Sequence, residues 1–283
     1  MTQGACLCGA VRYEVDGPFR HLTHCHCSMC RKHHGAAFAT FAGAPLAGFR
    51  WLSGRDQLVS YQSSKDGERF FCRVCGSVTP MSLPKYGLVF CPAGNLRGDL
   101  GIKPELHTFV ASKAPWYTIT DGLPQHAEYP PEFEMAGMPR PAVSRKDGVV
   151  QGSCLCGDVT FEITGPPKRM MNCHCTRCRR GRSAAHASNI FYDLDSVRWT
   201  RSETQVAEYK LPEARFFGKA FCRRCGSGLP RLSRERGAAV VPAGSLDDDP
   251  GIRPAAHIFV ASKASWFEIT DGAPQFPEAP PTL

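Results

Sequence analysis

His24-Cys25-His26-Cys27-Ser28-Met29-Cys30-Arg31-Lys32 places three cysteines in a CxCxxC run, and Asn172-Cys173-His174-Cys175-Thr176-Arg177-Cys178-Arg179-Arg180 repeats that run 148 residues later. Working outward, a CxC pair precedes each run (Cys6/Cys8 and Cys154/Cys156), and a CxxC pair follows it (Cys72/Cys75 and Cys222/Cys225). Seven cysteines in one order therefore recur in each half. Thiolates at this density hold soft metal ions, and zinc is the usual occupant in an intracellular protein. Four sulfurs close a tetrahedral scaffolding site, whereas three leave one position open, the ligand count of a reactive ion. The arithmetic predicts two zinc ions per half and four per chain.

The repeat extends beyond the cysteines. Residues 104–122, PELHTFVASKAPWYTITDG, match residues 254–272, PAAHIFVASKASWFEITDG, at 13 of 19 positions. The offset is 148 up to Cys30/Cys178 and 150 from Cys72/Cys222 onward, so two residues are inserted between Tyr209 and Cys222, where a surface loop is expected. A period near 150 indicates duplicated domains rather than a solenoid. A stretch rich in proline and charge, from about Pro130 to Asp147, reads as a linker. The expected domains are 1–135 and 149–283, joined by 136–148.

The strong local signals are strands. Val11 to Val15 and Val159 to Ile163 alternate apolar with polar residues and stop at Gly17-Pro18 and Gly165-Pro166. Leu88 to Cys91, His107 to Ala111 and Trp116 to Thr120 read the same way. Helical evidence is confined to a short turn after Cys27 or Cys175, so each domain is expected to be all-β, with metal-binding loops between strands.

Composition limits the alternatives. No apolar run is long enough to span a bilayer, and no basic region followed by an apolar stretch opens the chain, so a cytoplasmic protein with reduced thiols is expected. The net charge of +8 divides as +4 in each half, modest for a nucleic-acid binder, and long basic tails and helix-borne finger ligands are missing. A cluster of Arg177, Arg179, Arg180 and Arg182 still keeps a second reading open, a non-catalytic zinc module that binds protein, glutathione or nucleic acid.

Cys6, Cys8, Cys72 and Cys75 suit the closed site, and Cys154, Cys156, Cys222 and Cys225 suit its copy. Cys25, Cys27 and Cys30, with Cys173, Cys175 and Cys178, suit the open ones. A Cys3His site using His24, His26, His33 or His34 is the alternative for the first triplet. Only His26 persists in the copy, as His174, and between two ligands on an extended chain its ring points away from the metal. Cys91 aligns with Val241 and reads as a buried apolar residue.

These stretches resemble the glutathione-dependent formaldehyde-activating family, which also includes the domain of centromere protein V. The resemblance rests on Gly4-Ala5-Cys6-Leu7-Cys8-Gly9, His24 to Lys32, Phe71-Cys72-Arg73-Val74-Cys75-Gly76-Ser77, Pro92-Ala93-Gly94-Asn95-Leu96 and His107 to Lys113, each with a counterpart in the second half. It implies two tandem β-tent domains, each with one structural and one catalytic zinc. It also implies a carbon-sulfur lyase that condenses glutathione with formaldehyde to S-hydroxymethylglutathione. Cys25, Cys27 and Cys30 would carry the chemistry, with Arg31 and its copy Arg179 as candidate anchors for the thiol's carboxylates. Lys113, a further candidate substrate contact, and Lys263, with His107 and His257, either line the pocket or cap the fold. After the second triplet, Gly181, Arg182 and His186 replace His33, His34 and Phe38 on a +148 offset, so the second site is expected to be altered or inactive. The two halves are expected to pair within the chain, in place of or alongside a homodimer.

Overall fold

The computed structural model describes residues 1–65, 67–129 and 147–280. Of the expected linker only Asp147 and Gly148 fall within them.

Each half begins with a small antiparallel sheet. In the first it is Thr2–Ala5, Arg12–Val15 and Phe49–Ser53 in that order; in the second, Val150–Ser153, Thr160–Ile163 and Val197–Arg201. Tyr13 and Val15 are fully buried and Arg12 is exposed, but the polar position between Tyr13 and Val15 is not: Glu14 is buried against Arg50, as Glu162 is against Arg198. Gly4 is required by this packing, because a Cβ there would sit 2.3 Å from the Tyr13 ring. Gly152 meets Phe161 at 2.1 Å in the same way.

The second sheet positions the triplet. His21–Cys25 pairs antiparallel with Ala39–Pro45 on one side and parallel with Leu106–Thr108 on the other, so that His24 faces His107 and Cys25 faces Thr108. Leu88–Pro92 and Met81–Leu83 complete the sheet. In the second half, Arg169–Cys173 has the same neighbours, Ala187–Asp193 and His257–Ile258. Each triplet strand runs into a seven-residue helix, α1 (Ser28–His34) or α2 (Thr176–Arg182). The described fold is thus all-β apart from these two short α-helices and single 3₁₀ turns.

Two expected strands differ. The strand at His107 ends at Thr108, because Phe109 adopts left-handed backbone (φ 58°), and Val110–Ser112 forms a single turn. Trp116 to Thr120 is not a strand. Trp116 is buried on a turn closed by Tyr117 N–H donating to Ala114 O (3.1 Å), so alternation here reflects an anchored turn.

A third element, the hairpin Leu58–Ser64/Gly67–Cys72, leads to the CxxC turn. Its counterpart Val206–Lys210/Gly218–Cys222 carries the two-residue insertion in its connection. These hairpins reach across the molecule. Leu211, Ala214, Tyr209 and Phe217 pack on Cys6, Leu7, Cys72 and Cys75 of the other half. Tyr61, reciprocally, joins the core that contains Cys154, Cys222 and Cys225. Burial, and then Cys156 and Cys225, raise its phenol pKa.

One hydrophobic core contains residues of both halves, among them Tyr13, Phe38, Trp116, Phe161, Ile163 and Trp266. Backbones touch where α1 and α2 end. A Cβ on Gly94 would lie 2.3 Å from Ala184 N and O, and one on Gly244 would lie 2.4 Å from Ala36 N and O. Glycine is therefore the residue that fits both crossings.

Candidate metal and thiol centre

The closed clusters form where the CxC turn meets the CxxC turn. Cys6, Cys8, Cys72 and Cys75 bring four sulfurs within 4.8 Å of one another, as do Cys154, Cys156, Cys222 and Cys225. Cys6 and Cys8 Sγ are 3.4 Å apart, and Cys8 and Cys72 Sγ are 3.8 Å apart. A tetrahedral ion with bonds of about 2.3 Å has edges of about 3.8 Å, so the donor set fits a soft divalent metal. Hydrogen bonds from Cys6, Cys72 and Cys8 pull the Cys75 thiol far below the usual thiol range. Leu7 N–H donates to Ser77 Oγ (3.1 Å), and Leu155 N–H donates likewise to Ser227 Oγ (3.0 Å), fixing one turn on the other.

The triplets form differently. Cys25 ends its strand, Cys27 caps α1 by accepting from Cys30 N–H (3.3 Å), and Cys30 lies in the first turn; Cys173, Cys175 and Cys178 repeat this. Within each triplet the sulfurs lie within 4.8 Å of one another, and among the described residues no histidine or carboxylate joins either group.

The neighbouring histidines have other partners. His24 Nδ1 shares a hydrogen bond with Thr40 Oγ1 (2.8 Å), and His34 Nδ1–H donates to Arg182 O and Ser183 O (3.0 Å each). His26 turns away from the sulfurs to His107, Nε2 to Nδ1, at 2.8 Å, and His107 Nε2–H donates to Asp121 (3.0 Å). With a proton on His107 Nε2, its Nδ1 is the acceptor and His26 donates from Nε2. His174, His257 and Asp271 reproduce the chain at 2.8 and 3.0 Å. It locks the triplet strand to its parallel neighbour. Burial holds both inner histidines neutral, with His26 pushed down to about 3 and His174 to about 2.

Two residues near the first triplet, Arg69 and Tyr129, escape a reading based on cysteine spacing. Arg69 points both Nη groups at Cys30 Sγ, at 3.6 and 3.7 Å. Hydrogen bonds from Cys25 and Cys27, followed by the Arg69 charge, draw the Cys30 thiol well down. Phe109, in its left-handed conformation, and Tyr129 pack together over the sulfurs, their rings 4.6 Å apart. The corresponding residues of the second half differ. Lys219 replaces Arg69 and donates instead to Gly76 O of the first half (2.5 Å), and Ala279 replaces Tyr129. The differences Arg69/Lys219 and Tyr129/Ala279 are the signal in sequence that could have found both.

The other expected site residues are placed as follows. Arg31 lies half-buried on α1, one residue beyond Cys30. Lys113 Nζ donates to Tyr117 O (2.6 Å), bracing its own turn. Cys91 is fully buried in the core, as is Val241. No helix among the described residues is long and apolar enough to cross a membrane.

The chain is similar to known proteins. The family described as "Glutathione-dependent formaldehyde-activating enzyme" matches residues 1–112 and again 149–262. A Halomonas elongata protein named "Putative glutathione-dependent formaldehyde-activating enzyme" is 31% identical over 127 residues, 42% of this chain and 81% of that protein. An uncharacterised lyase of Schizosaccharomyces pombe is 31% identical over 75 residues, 26% of this chain and 53% of its own. A crystal structure of a Rhodobacter sphaeroides protein is similar over 34% of this chain and 88% of that one, at 32% identity and a TM-score of 0.30.

Proposed function

Because this chain belongs to the glutathione-dependent formaldehyde-activating enzyme family, we propose that it is a zinc-dependent carbon-sulfur lyase joining glutathione, or a similar thiol, to formaldehyde or a related small aldehyde. The observation that carries this reading is the first triplet: three converging sulfurs, no fourth described ligand, and a guanidinium against one of them.

Zinc held by Cys25, Cys27 and Cys30 would supply a position at which a thiol binds in its ionised, nucleophilic form. The rest falls to the chain. Three thiolates and a divalent ion carry one net negative charge, and a fourth thiolate adds another. Arg69 offsets that charge at Cys30 and so favours capture of the thiol as its anion. The carbon-sulfur bond forms as the thiolate sulfur adds to the aldehyde carbon, the carbonyl electrons move to oxygen, and that oxygen takes a proton. The uncatalysed addition is already easy, so holding the two reactants together is a sufficient contribution. Arg31 and Lys113 are the cations proposed for the thiol's carboxylates, Lys113 exchanging the Tyr117 carbonyl for the ligand. The four-cysteine clusters are proposed as scaffolding zinc sites, giving four ions per chain, and turnover is proposed for the first triplet, a reading supported by the altered surroundings of the second.

Metal counting with and without glutathione tests the reading. Four zinc ions at rest, with the triplet sites perturbed by the thiol, would support it. Two ions with no response to thiols would overturn it in favour of a structural role.

A further inference from the structure

A cavity of about 480 Å³ opens between the halves beside α2. Arg97 and Asp99 of the first half line one side, and Arg179, Arg180 and Lys263 of the second line the other. Four cations thus face one carboxylate. Asp99 is turned toward Gly101 N–H (3.1 Å) and Ser265 Oγ (3.5 Å). Arg180 spends its Nε on Ala5 O, and Lys263 caps the Phe267 carbonyl. Arg179 uses only Nε, on His174 O (3.3 Å), and Arg97 makes no side-chain bond among the described residues. Two guanidinium groups therefore retain donors for something else.

The pseudo-symmetric position on the other side of the molecule carries more acid. Asp247 and Asp248 stand where the cavity has Arg97 and Gly98, and Asp249 corresponds to Asp99. Lys32, the counterpart of Arg180, is tied to Asp247 at 2.6 Å. There, Lys32 pairs with Asp247 and Arg253 with Asp249; here, four lining cations face the single lining carboxylate of Asp99. The α2 cleft is thus the more positive of the two, and cations with free donors held around a concavity attract an anion.

We propose that the cleft between Arg97 and Arg179 is a binding site for a small molecule carrying carboxylate or phosphate groups. Arg97 and Arg179 form the two direct contacts from opposite walls, while Arg180 and Lys263 add to the field. Binding requires neither a free thiol nor the triplet, so a ligand with blocked sulfur is accepted.

Calorimetry on the metal-loaded, full-length protein at low salt tests this with two separate probes, S-methylglutathione and inorganic phosphate. The expected result is saturable binding of at least one probe, weakened about tenfold or more by Arg97→Glu and by Arg179→Gln. It is left unchanged by Arg20→Glu, a charge reversal elsewhere on the surface. Binding of S-methylglutathione alone identifies peptide carboxylates as the ligand class, and binding of phosphate alone identifies phosphate. Absence of binding by both probes, or equal binding in wild type and Arg97→Glu, overturns the proposal. Loss of thiol-dependent activity with S-methylglutathione binding intact would count against the function proposed above and not against this site.

Discussion

Lys32 Nζ lies 2.6 Å from Asp247 Oδ1, a link between the two halves made where the Lys32 side chain is only 8% exposed and that of Asp247 only 13%. Lys32 also donates to Ser153 O and Oγ, and burial lowers its pKa despite the favourable carboxylate. Removing one partner strands a charge in a low-dielectric setting. Lys32→Met is expected to cost about 3–5 kcal/mol in denaturant unfolding. Lys32→Met combined with Asp247→Leu should cost less than the single change, since replacing both charges leaves neither unpaired.

Substitutions at the two kinds of cluster should separate scaffold from chemistry. Cys8→Ser removes a ligand from a closed four-sulfur site and is expected to lower the melting temperature sharply and release one ion, because metal binding there is coupled to folding. Cys27→Ser retains an oxygen that can accept from Cys30 N–H and cap α1. It should lose one ion and thiol turnover with little change in melting. Metal analysis and calorimetry on the same samples check both outcomes.

Arg69 can be tested through the thiol it is proposed to stabilise. In Arg69→Met the pH at which glutathione binds as thiolate should rise, and affinity at pH 7 should fall about tenfold; Arg69→Lys should recover part of the loss, as a single ammonium replaces a two-pronged donor. Cobalt-substituted protein provides a spectroscopic readout at the sulfurs independent of turnover. An unchanged binding pH in Arg69→Met would remove the residue from the site.

His34 gives the fold a measurable acid sensitivity. Burial pushes its pKa down to about 4 from an ordinary 6.5, so the native state keeps it neutral while the unfolded chain gains a proton. Its contribution is fully present above pH 6.5 and decreases as pH falls toward 4, by roughly 3 kcal/mol in all. His34→Gln can still donate to Arg182 O and Ser183 O without that proton, so its unfolding free energy should decline less over this window than that of wild type.

Gly94 and Gly244 should tolerate no side chain. Gly94→Val places new atoms against Ala184 backbone at the crossing between the halves, where neither chain can move without separating α2 from the opposing turn. An insoluble protein, or a stability loss of about 3 kcal/mol or more, is expected, read from expression and denaturant midpoint.

Much of this architecture was legible because metal ligands impose short-range spacing. CxC, CxCxxC and CxxC state locally which sulfurs can share an ion, and the strands around Tyr13 and Phe161 follow from alternation. What sequence could not show depends on contacts far along the chain. Arg69 is an ordinary arginine on a strand until the fold brings it to Cys30, 39 positions away. Trp116 mimicked a strand residue because a buried turn also alternates. The inserted loop beyond Tyr209 read as surface, yet Leu211 and Ala214 within it are buried against the opposite half's cysteines. Its apolar residues were visible, but their destination was not.

That crossing of hairpins makes each half depend on the other. A chain cut between its halves would leave the Cys6/Cys8/Cys72/Cys75 cluster without its cover of Leu211 and Ala214, and the partner cluster without Tyr61. The second half therefore has a structural task that is independent of its own triplet: Lys219 and Ala279 stand where the first half has Arg69 and Tyr129, while Leu211 and Ala214 wall the other half's cluster.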